Sequence, residues 1–378
     1  MPAISNKNNT LVYKGSSFMR QRLLLSVLSS KPVRIIDIRT NHDEPGIAEF
    51  EVNLIRLLDK VTNGTIIQLD STGTNLYFQP GLLYGGEVDH ECSLQRSIGY
   101  YLEVLVALGI FCKIPLKATL RGVSNNLIDP SVDHIKTSII PVLKRFLIDD
   151  EGIDLKVTKR GMLPLGGGEV VFCCPVRKQL RPIQLEDSGM VKRIRGTAYT
   201  LRVSPAIANR VVESAKGVLL NFIPDVYINA DQCKGKQSGK SPGFGIHLYA
   251  ETTKGTTYSA EAVSKVIVGG AEPSIPEEVG KLAAQRLCHE IYMGGCVDSA
   301  AQALAILCMA LGQKDVTKLV MGSLSDYSIS FLQHLREFFG ITFKLEDYKS
   351  EEDCVVGADK ILLTCIGIGY TNISKRTI

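Results

Sequence analysis

The fold is set by a segment that reads Val33-Arg34-Ile35-Ile36-Asp37-Ile38 and by the elements on either side of it. This run is rich in β-branched residues, which favour a strand. Working outward, the predicted order is helix, strand, helix, strand, strand, at residues 18–28, 33–38, 49–61, 65–69 and 74–78. The turn-forming pairs Asn63-Gly64 and Thr72-Gly73 separate the last three elements.

The same order of elements returns twice further along the chain. The second copy is predicted at residues 93–108, 115–120, 130–147, 153–158 and 168–174, and the third at residues 299–311, 318–321, 328–339, 341–345 and 360–366. Because helices and sheets must each cover an apolar face, every copy predicts a sheet covered by a pair of helices. The predicted fold class is α+β, with a large domain of three repeated helix-strand-helix-strand-strand units.

The segment between the second and third copies has an alternation of its own. Strands are predicted at residues 194–203, 226–230 and 244–252, and helices at residues 206–219, 260–268 and 276–293. A proline begins the last helix and Gly294-Gly295 ends it, which is typical of helix boundaries. We interpret the segment as a smaller inserted α/β domain. The domains are then residues 1–181 (large domain, repeats one and two), 182–290 (insertion) and 291–378 (large domain, repeat three).

Charge and cysteine usage narrow the class of protein. The chain of 378 residues has a formal net charge of +4, and the window from Arg177 to Arg210 has eight Lys and Arg against two acidic residues. Such a window indicates either a solvated face or contact with a polyanion. The ten cysteines form no CxxC pair, so neither a zinc site nor a disulfide framework is predicted. We find no secretory or membrane-spanning stretch and expect an intracellular protein without a membrane partner.

Short glycine-containing motifs occur along nearly the whole chain. They are Pro45-Gly46 after Arg39, Pro80-Gly81 with Gly85-Gly86, Arg121-Gly122-Val123-Ser124-Asn125, Lys159-Arg160-Gly161 with Gly166-Gly167-Gly168, and Gly294-Gly295-Cys296-Val297-Asp298. This set resembles the RNA 3'-terminal phosphate cyclase family. The resemblance implies the body of a cyclase, built of repeats with an inserted domain.

The sequence departs from the active cyclases at three parts of their ATP site. Tyr327, at the end of Gly322-Ser323-Leu324-Ser325-Asp326-Tyr327, takes the place of the histidine that accepts AMP. A neutral imidazole has a free lone pair near pH 7, whereas a phenol with a pKa near 10 does not. Ala303 and Leu304 replace an Asp-Gln pair, and the segment 12–17 lacks the family's glutamate. Each lost polar contact is worth about 1–3 kcal/mol, so the resemblance implies no catalytic residue and no cofactor.

Basic residues near the cleft of the cyclases are the candidates for binding RNA or another anion. Arginine suits bidentate contact with phosphate. The candidates are Arg20, Arg22, Arg39 and Arg160 at the cleft, and Arg177, Lys178, Arg193 and Arg195 in the basic window. The alternative for each residue is an ion pair with an acidic residue of the fold.

Two further patterns point away from metal or nucleotide chemistry. No His or Cys has the spacing of a metal site, and the carboxylate run Asp149-Asp150-Glu151, which could supply ligands, is interpreted as a helix end or turn. The segment 235–241 mimics a phosphate-binding loop, but it has one residue too few between its glycines and lacks the strand-to-helix context. A basic surface loop with Lys234, Lys236 and Lys240 is predicted there instead.

The resemblance implies the non-catalytic branch of the family, which acts in ribosome biogenesis. The expected function is an assembly factor for the small ribosomal subunit that supports early pre-rRNA processing in the nucleolus, inside the nucleus. The implied partners are pre-rRNA, a large nucleolar GTPase and other proteins of the small subunit processome. Two alternatives stay open: an endonuclease that cleaves pre-rRNA, for which Lys314, Asp315 and Lys318 are candidates, and an ATP-dependent cyclase.

Overall fold

Four mixed sheets of four strands each carry the fold in this computed structural model, which describes residues 10–266, 272–348 and 357–372. The first elements are β1 (Leu11–Lys14), α1 (Met19–Ser29), β2 (Val33–Ile36), α2 (Glu49–Val61), β3 (Thr62–Asn63), β4 (Ile66–Leu69), β5 (Leu76–Gln79) and β6 (Leu82–Leu83). The first sheet has the order β1-β2-β5-β4, with β1 parallel to β2 and the other pairs antiparallel. The short strands β3 and β6 pair with each other.

The second sheet follows directly in the chain. Its elements are β7 (Gly85–Glu91), α3 (Ile98–Gly109), β8 (Ile114–Gly122), α4 (Val132–His134), α5 (Ile140–Arg145), β9 (Asp154–Lys159) and β10 (Gly168–Cys174). The strand order is β7-β8-β10-β9. A π-helical turn, Ile135–Ile139, joins α4 to α5 in one continuous helix. Such turns occur mostly as single inserts and frequently lie at functional sites.

The insertion forms the next sheet. After β11 (Gln184–Leu185), which belongs to the last sheet, come β12 (Val191–Leu201), α6 (Ala206–Leu219), β13 (Val226–Cys233), β14 (Gly243–Thr252), β15 (Thr257–Val263) and α7 (Pro276–Met293). Its strand order is β13-β12-β14-β15. Helices α6 and α7 pack against each other and against this sheet.

The last sheet completes the large domain. Its remaining elements are α8 (Gln302–Leu311), β16 (Val316–Met321), α9 (Asp326–Phe339), β17 (Lys344–Tyr348) and β18 (Lys360–Ile366), with the order β11-β16-β18-β17. The α+β fold class is confirmed. Each of the three sheets outside the insertion also begins with a strand that the sequence did not predict, namely β1, β7 and β11. Each of these leading strands pairs in parallel with the next long strand of its sheet.

Buried side chains form two main apolar cores. The larger core joins helices α1, α2, α3, α5, α8 and α9, and the smaller core contains residues from Ile194 to Leu287. Every residue of helix α8 from Ala305 to Leu311 is buried. The domain boundaries at residues 181/182 and 290/291 stay predictions.

Two predicted elements were wrong. The helix at residues 260–268 is contradicted by β15, which pairs with β14 over Thr257–Val263; residues 267 and 268 lie outside the described part. The helix predicted from residue 93 begins at Ile98, because the Ser97 side-chain oxygen accepts a hydrogen bond from the Gly99 backbone N–H at 3.1 Å and caps it. Across the described ranges, no helix combines the length and the apolar character needed to cross a membrane.

Candidate functional site

The altered positions Tyr327, Ala303 and Leu304 meet in one small pocket between helices. Tyr327 is the second residue of α9, and Ala303 and Leu304 lie in α8. Helix α1 contributes Arg20 and helix α3 contributes Glu103, and most of the remaining lining is apolar. The pocket volume is about 40 Å³, which is enough for a water molecule and far below the 300–1,000 Å³, roughly, of pockets for small-molecule ligands.

Polar contacts at the start of α9 hold Tyr327 in this pocket. The side-chain oxygen of Ser325 caps the helix by accepting a hydrogen bond from the Ser328 backbone N–H at 3.2 Å. Gln302, the first residue of α8, accepts hydrogen bonds at Oε1 from Ser328 Oγ at 2.8 Å and from the Ser325 backbone N–H at 3.3 Å. The two helices that carry the altered positions are therefore tied together at their N-termini.

Arg20 occupies the space beside the Tyr327 hydroxyl. Its Nε and Nη2 donate hydrogen bonds to Tyr327 Oη at 3.2 and 3.0 Å. Nη2 also forms an ion pair with Glu103, and the guanidinium carbon lies 4.6 Å from the centroid of the Tyr100 ring. The Tyr327 hydroxyl is thus an acceptor for a neighbouring arginine, and the charge of that arginine is already balanced by a carboxylate.

Burial and the neighbouring charges shift the pKa values of these groups. Burial raises the pKa of Tyr327, although Arg20 acts against the rise. Burial raises the pKa of Glu103 as well, again opposed by Arg20. Burial disfavours the charged form of Arg20, but Glu103 more than compensates and the pKa of Arg20 is raised. A phenol with a raised pKa stays protonated at neutral pH, so it is a poor nucleophile.

A second group of polar side chains lies behind Tyr327, and its members form hydrogen bonds with one another and with the backbone. Gln21 Nε2 donates to the Tyr327 carbonyl oxygen at 2.9 Å, and Gln21 Oε1 lies 2.9 Å from His334 Nδ1. Arg22 donates to His334 Nε2 at 3.4 Å and to the Gly15 carbonyl oxygen at 3.0 Å. Since Nε2 accepts, the proton of His334 is assigned to Nδ1 and donated to Gln21. Burial lowers the pKa of His334 to about 4, which keeps this ring neutral.

A larger cavity of about 560 Å³ lies at the junction of the insertion and the large domain. It is lined by the loop at residues 126–130, by His134, and by parts of β15 and α7. Glu261 Oε1 accepts a hydrogen bond from the Ser131 backbone N–H at 2.9 Å across this junction. None of the altered positions lines this cavity, so it does not enlarge the pocket at Tyr327.

The sequence matches known proteins over nearly its full length. The RNA 3'-terminal phosphate cyclase family matches residues 11–345. The chain belongs to this family. It is 58% identical over 384 residues to a probable RNA 3'-terminal phosphate cyclase-like protein of Drosophila melanogaster, with all of both chains covered. It is 56% identical to the RNA 3'-terminal phosphate cyclase-like protein of Homo sapiens, covering 98% of this chain and 99% of that one. A more distant relative, 41% identical with 96% and 97% covered, is the rRNA processing protein rcl1 of Schizosaccharomyces pombe.

The cyclase-family motif that ends in Asp298 builds a buried network near the pocket. Asp298 accepts hydrogen bonds from Ser138 Oγ at 2.5 Å and from the Ala301 backbone N–H at 3.0 Å, and it contacts His134 Nε2 at 3.1 Å. The Ser259 backbone N–H of β15 donates to it at 3.3 Å. One carboxylate therefore ties the π-helical turn, the insertion and the residues before α8 together.

The predicted anion-binding residues near the cleft have partners within the chain. Arg20 is bound to Tyr327 and Glu103, and Arg22 is bound to His334 and the Gly15 carbonyl oxygen. Arg39 makes a two-pronged ion pair with Glu51, with both distances 2.7 Å. Arg160 makes another with Asp133, one of whose oxygens lies 2.9 Å from Nη2. These contacts agree with the structural alternative for each residue, and the role of the four in binding an anion stays a prediction.

The candidates of the basic window also have partners within the chain. Arg177 pairs with Asp149 at 3.0 Å, Arg193 with Glu251 at 2.6 Å and Arg195 with Asp225 at 2.8 Å. Lys178 also has an interaction within the chain. Its backbone carbonyl accepts from the Asn372 N–H at 2.8 Å. Acidic residues from elsewhere in the sequence therefore pair with Arg177, Arg193 and Arg195, which the local charge count of the window could not show.

Three residues that the sequence analysis missed belong to this region. Glu103 balances Arg20, and Tyr100 lies between two arginines, with Arg20 at 4.6 Å and Arg96 at 4.4 Å from its ring centroid. Arg96 is paired in turn with Asp129. An acidic residue in an apolar helix, as Glu103 is in α3, was the signal that could have been followed, because such a residue needs a buried partner.

The residues proposed for an endonuclease lie in or beside an exposed turn. Lys318 pairs with Glu186 at 3.6 Å, and Asp315 Oδ1 accepts from the Val316 backbone N–H at 2.7 Å in the exposed turn that also contains Lys314. Within the described ranges, no three His, Cys, Asp or Glu side chains are grouped so that they could hold a metal ion. The loop that mimics a phosphate-binding motif contains a short 3-10 turn, Gly235–Gln237.

Proposed function

We propose that this protein is a non-catalytic assembly factor in small ribosomal subunit biogenesis. It supports early pre-rRNA processing by binding RNA and protein partners and does not cyclise RNA ends. The proposal is supported by membership of the cyclase family together with the relative named as an rRNA processing protein. The proposed partners are pre-rRNA, a large nucleolar GTPase and other proteins of the small subunit processome. The proposed location is the nucleolus, within the nucleus.

The observation that carries the non-catalytic part is the small volume of the pocket at Tyr327. A volume of about 40 Å³ leaves no room for a nucleotide. Arg20, the charged donor nearest to Tyr327, is already bound to the Tyr327 hydroxyl and to Glu103. A phosphate would have to displace both contacts and open the packing of Leu304 and Phe331. In this proposal the protein keeps the fold of the family, while side chains fill the site where the active cyclases bind ATP.

Replacing Tyr327 with phenylalanine tests this proposal in cells depleted of the endogenous protein. The variant removes the only hydroxyl at the former nucleophile position and leaves the Arg20–Glu103 pair in place, so we expect a stability cost of about 1 kcal/mol and pre-rRNA processing at the wild-type level. Processing intermediates on RNA blots are the readout.

Tyr13→Phe is the matched control for this variant. It removes another tyrosine hydroxyl with a charged partner, since Tyr13 Oη donates to Glu337 at 2.5 Å outside the pocket. If Tyr327→Phe blocked processing while Tyr13→Phe did not, and both proteins were equally stable, the Tyr327 hydroxyl would have a chemical role and the proposal would be wrong.

A further inference from the structure

The basic loop at residues 234–240 is fastened to the large domain and is not a free surface loop. The Arg160 backbone N–H donates to the Gln237 carbonyl at 3.1 Å, and the Gly239 N–H donates back to the Arg160 carbonyl at 2.7 Å. The Lys240 N–H donates to the Gly166 carbonyl at 2.9 Å. These bonds place the lysines of the insertion beside the end of β9 and the glycine loop before β10.

Glycines make this close approach possible. A Cβ atom on Gly239 would lie 2.5 Å from the Gly166 carbonyl oxygen and 2.7 Å from the Arg160 carbonyl oxygen, closer than Cβ atoms are found in proteins. Arg202, at the end of β12, donates from Nε to the Gly239 carbonyl at 2.8 Å. The contact of the two glycine-containing loops thus brings basic residues from three chain segments into one surface. We call Lys159, Arg202, Lys234, Lys236 and Lys240 the junction patch.

The charges of the junction patch are less compensated than those of the other basic candidates. Within the part of the chain that the structure describes, Arg202, Lys234, Lys236 and Lys240 form no ion pair, and all four are exposed. Lys159 approaches Glu169 only at 4.0 Å, and that carboxylate is also bound by Arg121 at 3.0 Å. Asp231, an acidic residue that precedes the loop, lies 3.8 Å from Arg160. Because four of the five cations have no carboxylate partner in the described part of the chain, they leave a positive field at this surface.

We infer that the junction patch binds the phosphate backbone of RNA. This inference rests on the proposed RNA-binding function and gives it a location. Flexible lysines without carboxylate partners suit phosphate as point charges, and contacts of this kind position a nucleic acid without reading its sequence. A protein partner would be expected to use buried aromatic or arginine anchors in pockets. The two cavities described above are lined by other residues, so charge is the property that this surface offers.

The test compares two triple variants of the full chain that change net charge equally. The patch variant is Lys234→Gln/Lys236→Gln/Lys240→Gln. The control is Lys192→Gln/Lys216→Gln/Lys281→Gln, three lysines of the insertion that lie outside the junction patch. Binding of a labelled single-stranded RNA is measured by fluorescence anisotropy over a range of salt concentrations. Thermal unfolding checks that both variants are folded.

The patch variant is expected to bind at least about tenfold more weakly at low salt, with the slope of log affinity against log salt reduced by about 2, since each lost contact to a single strand removes about 0.7. The control should keep most of the wild-type affinity and slope.

Equal losses in both variants, or an unchanged slope in the patch variant, would overturn the inference while leaving RNA binding itself intact. If the patch variant lost binding to a poly-glutamate peptide but not to RNA, the patch would instead be a site for an acidic protein segment. Absence of RNA binding by the wild-type chain would contradict the proposed function.

Discussion

Replacing Arg160 with alanine is expected to lower the free energy of unfolding by about 3–5 kcal/mol, as for other buried ion pairs that lose one partner. The Arg160 and Asp133 side chains are only 10% and 15% exposed. Although burial acts against the carboxylate, Arg160 holds the pKa of Asp133 well below its usual range. Arg160 also lies 4.6 Å from the centroid of the Tyr199 ring in the insertion. Its removal leaves a buried charge unpaired at the junction of the two domains. Urea unfolding measures the loss.

Arg193→Ala is the control for this prediction. Arg193 also pairs with a carboxylate, Glu251, but the two side chains are 40% and 26% exposed, so we expect a loss below about 1 kcal/mol. If the two variants lost the same stability, the pair of Arg160 and Asp133 would not hold the junction.

Stability should fall at mildly alkaline pH because of the buried pair of His134 and Asp298. Burial opposes the charged form of His134, but Asp298 raises its pKa from 6.5 to about 9. The folded state therefore binds a proton that the unfolded state releases above pH 6.5. The contribution of this pair is complete below that pH and is lost as the pH rises through about 9. The expected loss is on the order of 3 kcal/mol, from the size of the shift. Urea unfolding at a series of pH values measures it.

Other titrating groups surround this pair, so a reference protein is needed. His247 lies nearby with its pKa lowered to about 4 by burial, and it acts in the opposite direction, costing stability as the pH falls below 6.5. Asp133, Glu261 and Glu290 also act on His134 or His247. In the double variant His134→Asn/Asp298→Asn the proton cannot be bound, and the fall in stability toward pH 9 should largely disappear. An identical fall in both proteins would show that His134 is not charged in the folded state.

The sequence predicts a helix well where residues typical of helix ends lie on both sides of a segment with helical hydrophobic periodicity. Helices α2, α6 and α7 have the bounds that the sequence predicts, because proline, acidic first turns, Asn-Gly and Gly-Gly mark their ends. Strand β15 was mistaken for a helix since its alanines and glutamate favour helices. Pairing with β14 overrides this preference. The leading strand β11 has only two residues, and so short a strand is defined by its neighbour and leaves no pattern in the sequence.

The family resemblance predicts which positions of the site are altered, and that stays a prediction, but it could not predict that these positions line one small pocket. The resemblance identifies Tyr327, Ala303 and Leu304 as departures. The volume of such a pocket depends on the distances between helices α1, α3, α8 and α9. The pattern of residues along the sequence does not give these distances. The partners of the arginines could not be predicted from the sequence either. Arg20 pairs with Glu103 in α3, and Arg195 pairs with Asp225, which follows helix α6.

We propose that the pocket at Tyr327 is a former nucleotide site that is now too small for ATP, and labelling with ATP tests this proposal most directly. The purified full chain and the variant Tyr327→His are each incubated with α-labelled ATP and magnesium, denatured and examined for bound label. We predict no covalent nucleotide on either protein, because a histidine alone restores neither the space of the pocket nor the polar groups replaced by Ala303 and Leu304. A nucleotide bound covalently to the unaltered chain would contradict the account.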